Sequence, residues 1–585
     1  MNRLRLHIDN LSRFNVFLII MLLALGVRII FLAQISDSPF FNLNIIDEYT
    51  YSDHARVLAE NGEIREGFFW QGSFYPFFLA AVYRLAGTSI QTVKIIQIII
   101  GSLTAALVYL LGEKVFGRKT GITAALIITF CGPMLIFESK LLATCWASLF
   151  SVLLVLLFIR ADKKKSTGNY LALGICCGLA IITRANFIFF ISPALILLFI
   201  NLSRSQMKPS MIALKAAALT GAIVLILIPV STLSYRTNSN FNPLPQSSSL
   251  NIYLGNNPNT ARTLMIRPGM EWRELIREPS VNGAATNREK REYFSRQVRE
   301  YVASRPLHFL AGLGWKTVQF FSSRELPRNI DPYIERKFSS LYSILIWKKG
   351  GFGFPFGIIL ILAIIGLAKY GRTSGKYLWL FLVLYPVSIA AVFVASRYRV
   401  PYIPILAVPA AAGITAIAEM ISRTDYRRMI SSASMAGLIA LAVTAPGPFA
   451  VEEHDYESEM YCNAGFVLYR ENRLSEAAGY LEKSLDIRPG YSKANKYMGL
   501  LLSRMNRTDQ AVDYFRKALK AKPESRFINY YLGVNLLETG RHSEAIPLLE
   551  KSFALATEAR DNFMASRIRQ LLERYQEYRK GFVRK

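Results

Sequence analysis

Eleven apolar runs, and the charge on the loops between them, restrict this chain more than any other feature. The runs cover 14–34, 94–115, 120–137, 141–159, 170–183, 187–200, 211–233, 352–369, 377–395, 400–421 and 429–445. Most are long enough to cross a bilayer as helices, and helices satisfy their own backbone groups where water is absent. Five connections are basic: EKVFGRKTG, ADKKKSTGN, LSRSQMKPS, KYGRTSGK and SRTDYRRM. With the N-terminus in the cytoplasm all five fall on the cytoplasmic side, where Lys and Arg collect. Arg3, Arg5 and Arg13 at the chain start agree. Run 14–34 is too long for a signal-peptide core and lacks a small-residue cleavage site. An odd number of spans places everything after residue 450 outside the cytoplasm. The expected fold is all-α: a polytopic membrane domain over 1–450 with outer loops 35–93 and 234–351, followed by a different domain over 451–585.

Composition narrows the function. A chain 52% hydrophobic, with a formal net charge of +28, is a membrane protein whose charge follows its topology. No basic stripe with interleaved aromatics stands on a soluble segment, which argues against nucleic acid as a partner. Of the five cysteines, four lie in apolar runs and one, Cys462, does not. That usage gives neither a disulfide framework nor a zinc spacing. No cofactor is expected; a divalent metal stays open, though no D-x-D motif argues for one.

Residues 451–585 contain an internal repeat. Gly465, Gly499 and Gly533 recur every 34 residues, as do Ala477, Ala511 and Ala545, and Leu481, Phe515 and Leu549. This is the tetratricopeptide period, in which small residues let two helices of a hairpin approach. Three units, 458–491, 492–525 and 526–559, followed by a polar-faced capping helix from Asp561 to about Lys580, form a short α-solenoid. Such repeats bind a protein or peptide.

Charged residues beside the apolar runs are the candidate chemistry. NIIDEYTYSDHARVLAE, 44–60, follows the first run and predicts a short amphipathic helix with Tyr51, Ala55, Leu58 and Ala59 on one side. Its adjacent acids Asp47 and Glu48 suit a general base or a cation ligand. They equally suit a helix start, where the dipole stabilises an acid. Glu138 stands at the outer end of a run, with Lys140 nearby as a possible counter-charge. Arg397 and Arg399 in SRYRVPYIPIL, and Arg184 in ITRAN, run against the positive-inside trend. A guanidinium fork fits phosphate, and it also snorkels to headgroups. Gly72–Ala86 is apolar, short and contains Pro76, and reads as interfacial or re-entrant. Within 234–351, helices lying on the membrane are expected over 306–321 and 338–347.

In order, these motifs resemble the polytopic C-type glycosyltransferases, in the branch of protein O-mannosyltransferases and lipid A aminoarabinose transferases. The likeness covers about 14–420. It rests on the Asp-Glu pair after the first run, G-x-x-Y-P, LGEKVFGRKTG, Glu138, ITRAN, LGNNP, RPGMEW, ELPRN and SRYRVPYIPIL. The resemblance implies a polyprenyl-phosphate sugar donor, a lipid or protein acceptor on the outer face, and inversion at the sugar carbon. It makes Asp47 the general base, with Glu48 and Glu138 ordering the pocket. It gives the leaving phosphate to Arg397, Arg399 or Arg184, with Lys316 as a further candidate. The sugar stays open, because Ser73-Phe74-Tyr75-Pro76 stands where the aminoarabinose branch often has K-P-P. Short loops fit a bacterial plasma membrane and a role in the cell envelope. Two alternatives remain: a ligase moving a whole glycan from a lipid diphosphate, and a non-catalytic scaffold whose repeats recruit partners.

Overall fold

The computed structural model describes residues 11–371, 375–445 and 456–583. Arg3, Arg5 and the expected domain boundary at 450/451 lie outside the described residues. Among the described residues the chain is all-α apart from one hairpin, in which Trp347–Lys349 pairs antiparallel with Phe352–Phe354. Among the described residues six helices are long and apolar enough to cross a membrane: Arg13–Asp37, Ile90–Phe116, Thr144–Lys163, Ala185–Ser203, Pro209–Asn238 and Ser396–Ser422. The pair Arg118–Thr129 and Gly132–Glu138, bent by 56°, is a broken span or a re-entrant loop. Cys131, Gly132 and Pro133 sit at that bend, where proline can only begin a new helix. Thr167–Thr183, Phe356–Tyr370 and Lys376–Ala390 are shorter apolar helices, and the last run is the helix Tyr426–Thr444. Each of the eleven expected runs therefore contains a helix, although run 352–369 begins in the strand Phe352–Phe354 and run 377–395 is helical only to Ala390; several of the helices are shorter than a full bilayer crossing.

Exposure explains why these helices need lipid. Leu225 is 69% exposed and Ile196 62%, on helices with no polar outer face. Apolar surface of that extent is stable against hydrocarbon and not against water. Buried sides pack into one large cluster that includes Phe31, Leu135, Phe158, Phe190, Phe381 and Leu406. This is an integral membrane protein.

The segment after the first span behaves as its pattern predicts. Asp47–Asn61 is a helix, with Ala55 and Val57 buried. Tyr51, Leu58 and Ala59 pack with Ala55 against Tyr75, Leu79 and Tyr83 of the helix Phe74–Ala86. Pro306–Phe320 is helical as expected. The stretch expected as a helix over 338–347 differs. It is helical only over Ser340–Leu345, and then forms the hairpin. Gly350 and Gly351, at φ 55° and 82°, supply the left-handed turn that a continuing helix could not accept.

The chain divides into two compact units. The first comprises 1–42, 47–265 and 291–452. The second holds the repeats, 453–585, and also takes 43–46 and 266–290. In the repeats, helices pair as Tyr456–Arg470 with Leu474–Ile487, Ser492–Arg504 with Thr508–Ala521, and Arg526–Glu538 with His542–Glu558. A Cβ on Gly465, Gly499 or Gly533 would come within 2.8 Å of Leu481, Phe515 or Leu549 respectively. The 34-residue glycine step is thus the point where each hairpin's helices touch. Asn562–Val583 caps the stack, with Ile568 and Met564 against Leu549 and Ala556.

Cys462 is fully buried under the repeats' first hairpin and is not available to thiol reagents. Topology is best tested with introduced cysteines at two exposed positions, Ser166 and Lys517. The charge pattern predicts that, in intact cells, an impermeant maleimide labels Lys517→Cys and leaves Ser166→Cys unlabelled until lysis.

Candidate active site

Among the described residues, four ion pairs of the first unit are largely buried. Arg28 grips Glu138 with two nitrogens, at 2.6 and 3.1 Å, and both side chains are at most 1% exposed. Lys140 meets Glu335 at 2.9 Å, again sealed. Arg399 meets Glu325 at 2.9 Å and donates to the carbonyls of Ser322 and Arg324. The fourth pair, Arg397 with Asp47, differs: its side chains keep 17% and 16% of their exposure. A sealed pair cannot be reached by a substrate, and buried charges that are paired and hydrogen-bonded are a structural solution. Of the four, Asp47 with Arg397 is the one that solvent and a ligand can approach.

Asp47 opens its helix directly after Ile46, whose φ of 54° is one that β-branched residues adopt only under constraint. One carboxylate oxygen accepts from Gln71 Nε2 at 2.8 Å. The other accepts from Asn329 Nδ2 at 2.9 Å and from Arg397 Nη1. Burial works to raise the Asp47 pKa. The Arg397 charge and the three hydrogen bonds outweigh it and hold the carboxyl below the ordinary aspartate value. As it stands Asp47 is ionised and masked.

Aromatic rings bring a second cation to the same place. Arg397 Nη2 donates to the Tyr398 hydroxyl at 3.0 Å, and its guanidinium lies 4.9 Å from that ring. The Arg184 guanidinium lies 5.0 Å from the same ring and donates to Thr144 Oγ1 at 2.8 Å. Arg184 Nη1 is buried and has no hydrogen-bond partner among the described residues. Tyr51 adjoins the group, edge-on to Tyr75 at 5.0 Å. Beside Arg397 is a small, partly open pocket that Asn329, Arg328, Ser396 and Phe137 also line.

The other sequence candidates stand elsewhere. Glu48 is buried, and its Oε1 accepts from the Leu141 N–H at 2.8 Å, so it fixes the turn after Glu138. Gln97 fixes the same turn, donating to the carbonyls of Glu138 and Lys140. Glu138 has Arg28 as its counter-charge, not Lys140. Gly101 makes this possible, since a Cβ there would lie 2.2 Å from the Glu138 carboxyl carbon. Arg399 and Lys316 are turned toward backbone. Lys316 Nζ donates to the carbonyl of Gly255 at 2.9 Å and to Asn256 Oδ1 at 2.7 Å, and burial pulls its pKa down to about 7. Neither faces the pocket at Arg397. Gln71, Asn329, Arg328 and Tyr398 were not singled out in the sequence; polar residues around ELPRN and beside SRYR carried the signal. Among the described residues no group of three His, Cys, Asp or Glu could hold a metal ion.

Comparison with known proteins agrees with the likeness read from the motifs. Residues 71–232 match the family model described as dolichyl-phosphate-mannose-protein mannosyltransferase, and 498–559 match a tetratricopeptide repeat model. The chain is thus similar to the C-type glycosyltransferases and carries tetratricopeptide repeats. No curated protein sequence matches it. Among solved structures, one similar chain is the archaeal oligosaccharyltransferase AglB from Archaeoglobus fulgidus, in complex with an inhibitory peptide and a dolichol-phosphate. It is 14% identical with a TM-score of 0.42, and the match covers 74% of this chain and 54% of that one. The apo form of the Archaeoglobus fulgidus oligosaccharyltransferase gives 16% identity and a TM-score of 0.43, covering 78% and 58%. Another is ArnT from Cupriavidus metallidurans bound to undecaprenyl phosphate, at 12% identity and a TM-score of 0.30, covering 67% and 77%. This chain therefore spans little more than half the length of the oligosaccharyltransferase. Likeness at this level assigns no residue a role.

Two outcomes follow from the ion pairs. Arg28→Met leaves Glu138 buried without its counter-charge and should lower stability by about 3–5 kcal/mol. Arg28→Met with Glu138→Leu should recover most of that, as read by thermal unfolding in detergent. For Asp47 the cation is what offsets burial. In wild type the acid limb of kcat/KM, which reports the free protein, should lie below the ordinary aspartate value of 3.8. In Arg397→Met it should move to higher pH, because burial is then unopposed.

Proposed function

We propose that this protein is a membrane glycosyltransferase that moves a sugar from a polyprenyl-phosphate donor to an acceptor outside the cytoplasm, with inversion. The match of 71–232 to a dolichyl-phosphate-mannose-protein mannosyltransferase model supports the reaction class. The observation that carries the residue roles is the accessible pair of Asp47 and Arg397, 350 residues apart in sequence. An acid and a phosphate-binding cation in contact, beside a small pocket, are the two groups that such a transfer needs.

The chemistry follows from their charges. The acceptor oxygen or nitrogen attacks the anomeric carbon and forms the new glycosidic bond. The bond from that carbon to the phosphate oxygen breaks, and polyprenyl phosphate leaves with the electron pair. The acceptor proton goes to the Asp47 carboxylate. Arg397 cannot serve Asp47 and the phosphate equally, because the phosphate carries charge in the ground state and gains more as the bond breaks. Donor binding thus draws Arg397 from Asp47, and the carboxylate, left with Gln71 and Asn329, becomes more basic. Arg184, whose guanidinium also lies against the Tyr398 ring, adds a second charge to the phosphate. Glu48 acts at a distance by holding the turn at Leu141.

The test is transfer by purified protein from a polyprenyl-phosphate sugar, read as release of polyprenyl phosphate. Asp47→Asn should lose on the order of a hundred- to ten-thousand-fold in rate while staying folded. Glu48→Gln should lose less, since a glutamine oxygen still accepts from Leu141. Arg397→Lys should recover only part of what Arg397→Ala loses, because a point charge replaces a fork. An Asp47→Asn variant with more than about a tenth of wild-type kcat would remove Asp47 as the base.

A further inference from the structure

Lys316, on the helix Pro306–Phe320, is a cation that the proposed transfer does not use. It is 1% exposed, and burial alone pulls its pKa down, so no neighbouring charge accounts for its place. A buried ammonium is costly unless its donors find acceptors. Lys316 finds three: the carbonyl of Gly255 at 2.9 Å, Asn256 Oδ1 at 2.7 Å and the carbonyl of Val392 at 3.3 Å. An ammonium has three donors, so all are used. The acceptors come from two distant parts of the chain, 255–256 and 392.

Those two parts touch. A Cβ on Gly255 would lie 1.7 Å from the Val392 carbonyl oxygen, so only glycine permits the contact. Asn256 adds to it, its Nδ2 donating to the carbonyl of Ala391 at 2.9 Å. The stretch held in this way, 392–395, has neither helix nor strand of its own. Such backbone depends on bonds from other elements to keep one conformation. Its far end is held at Ser396, whose N–H donates to the carbonyl of Leu326 at 2.9 Å. Arg397 follows directly. Within the stretch, Phe393 is 2% exposed and stands edge-on to Tyr398, with ring centroids 5.5 Å apart. Tyr398 is the ring against which Arg397 and Arg184 both lie, at 4.9 and 5.0 Å. Lys316 is thus connected to both arginines through Val392, Phe393 and Tyr398.

We propose that Lys316 is a positioning residue: its ammonium locks Gly255 and Asn256 against Val392, and through Phe393 and Tyr398 that lock sets the place of Arg397 opposite Asp47. Lys316 is therefore not itself a ligand of the donor phosphate, since its donors are all turned to protein acceptors. Without them the stretch loosens and Arg397 holds Asp47 less well. Burial of Asp47 is then less opposed, and its carboxyl titrates at higher pH. The inference rests on the reaction proposed above only for its use in transfer. The contact between Asp47 and Arg397 exists without a donor, and the test reads it there.

The experiment is the titration of Asp47 in the donor-free full chain, in phosphatidylcholine nanodiscs. It is followed by difference infrared spectroscopy with labelled aspartate, and Asp47→Asn is subtracted. Lys316→Met should move the titration to higher pH by about half a unit or more, the scale of coupling between residues in one network. Lys316→Gln, whose amide still donates, should move it less. With Arg397→Met already present, Lys316→Met should add no shift, because the arginine it places is gone. Phe393→Leu stays apolar but loses the ring edge, and should shift Asp47 in the same direction. If Lys316→Met does not fold, Lys316→Gln and Phe393→Leu carry the test. An unmoved titration in the folded lysine variants or in Phe393→Leu, or equal shifts with and without Arg397, overturns the proposal. A purely structural lysine predicts a lower melting temperature with Asp47 unmoved. A lysine that binds phosphate directly predicts Asp47 unmoved and weaker binding of farnesyl methyl phosphate, whether or not Arg397 is present. A wild-type protein that transfers no sugar would remove the reaction and leave these shifts standing, so the two readings fail separately.

Discussion

Charge inside an apolar bundle must be paired, and in the first unit the pairs are made across great distances in sequence. Arg28 reaches Glu138 over 110 residues, Lys140 reaches Glu335 over 195, and Arg397 reaches Asp47 over 350. Each pair therefore ties one helix or loop to another, and together they fix where the outer segments lie on the spans. Three are closed to solvent and can only hold structure. The fourth is left partly open. In the proposed reaction the arginine that holds this aspartate would exchange it for a phosphate, and the aspartate would then regain basicity.

Much of this was legible in the sequence, for reasons of period and charge. Lipid demands helices, so the apolar runs and the basic loops between them revealed the membrane domain without any packing information. The 34-residue step revealed the repeats, because glycine is needed wherever two helices touch at the level of Leu481, Phe515 or Leu549. Asp47, Arg397 and Arg184 were visible as charges in unusual places, and they share one site. Arg399, Glu138 and Lys316 were unusual in the same way, yet they are sealed against backbone or a counter-charge. A sequence shows that a charge lies next to an apolar run. It does not show whether the charge has been paired, because the pairing residue is tens to hundreds of positions away. The helix expected over 338–347 failed for a local reason, the glycine pair that turns the hairpin.

The repeats carry the same lesson. Their period was plain, but the second unit also includes 266–290, a segment far from them in sequence. Charge complementarity explains the docking: glutamates of the helix Met270–Val281 face Lys522 and Arg526, and Arg277 faces Asp561. The repeats are thus already engaged with their own chain before any other protein is considered.

The central claim is that donor phosphate takes Arg397 away from Asp47. The most direct measurement is the titration of the Asp47 carboxylate by isotope-edited infrared spectroscopy, with aspartate labelled and Asp47→Asn as the subtraction control. The account predicts a carboxylate that titrates below the ordinary aspartate range in the free protein and at higher pH once polyprenyl phosphate is added. A titration point that polyprenyl phosphate leaves unchanged, or lowers, would contradict it.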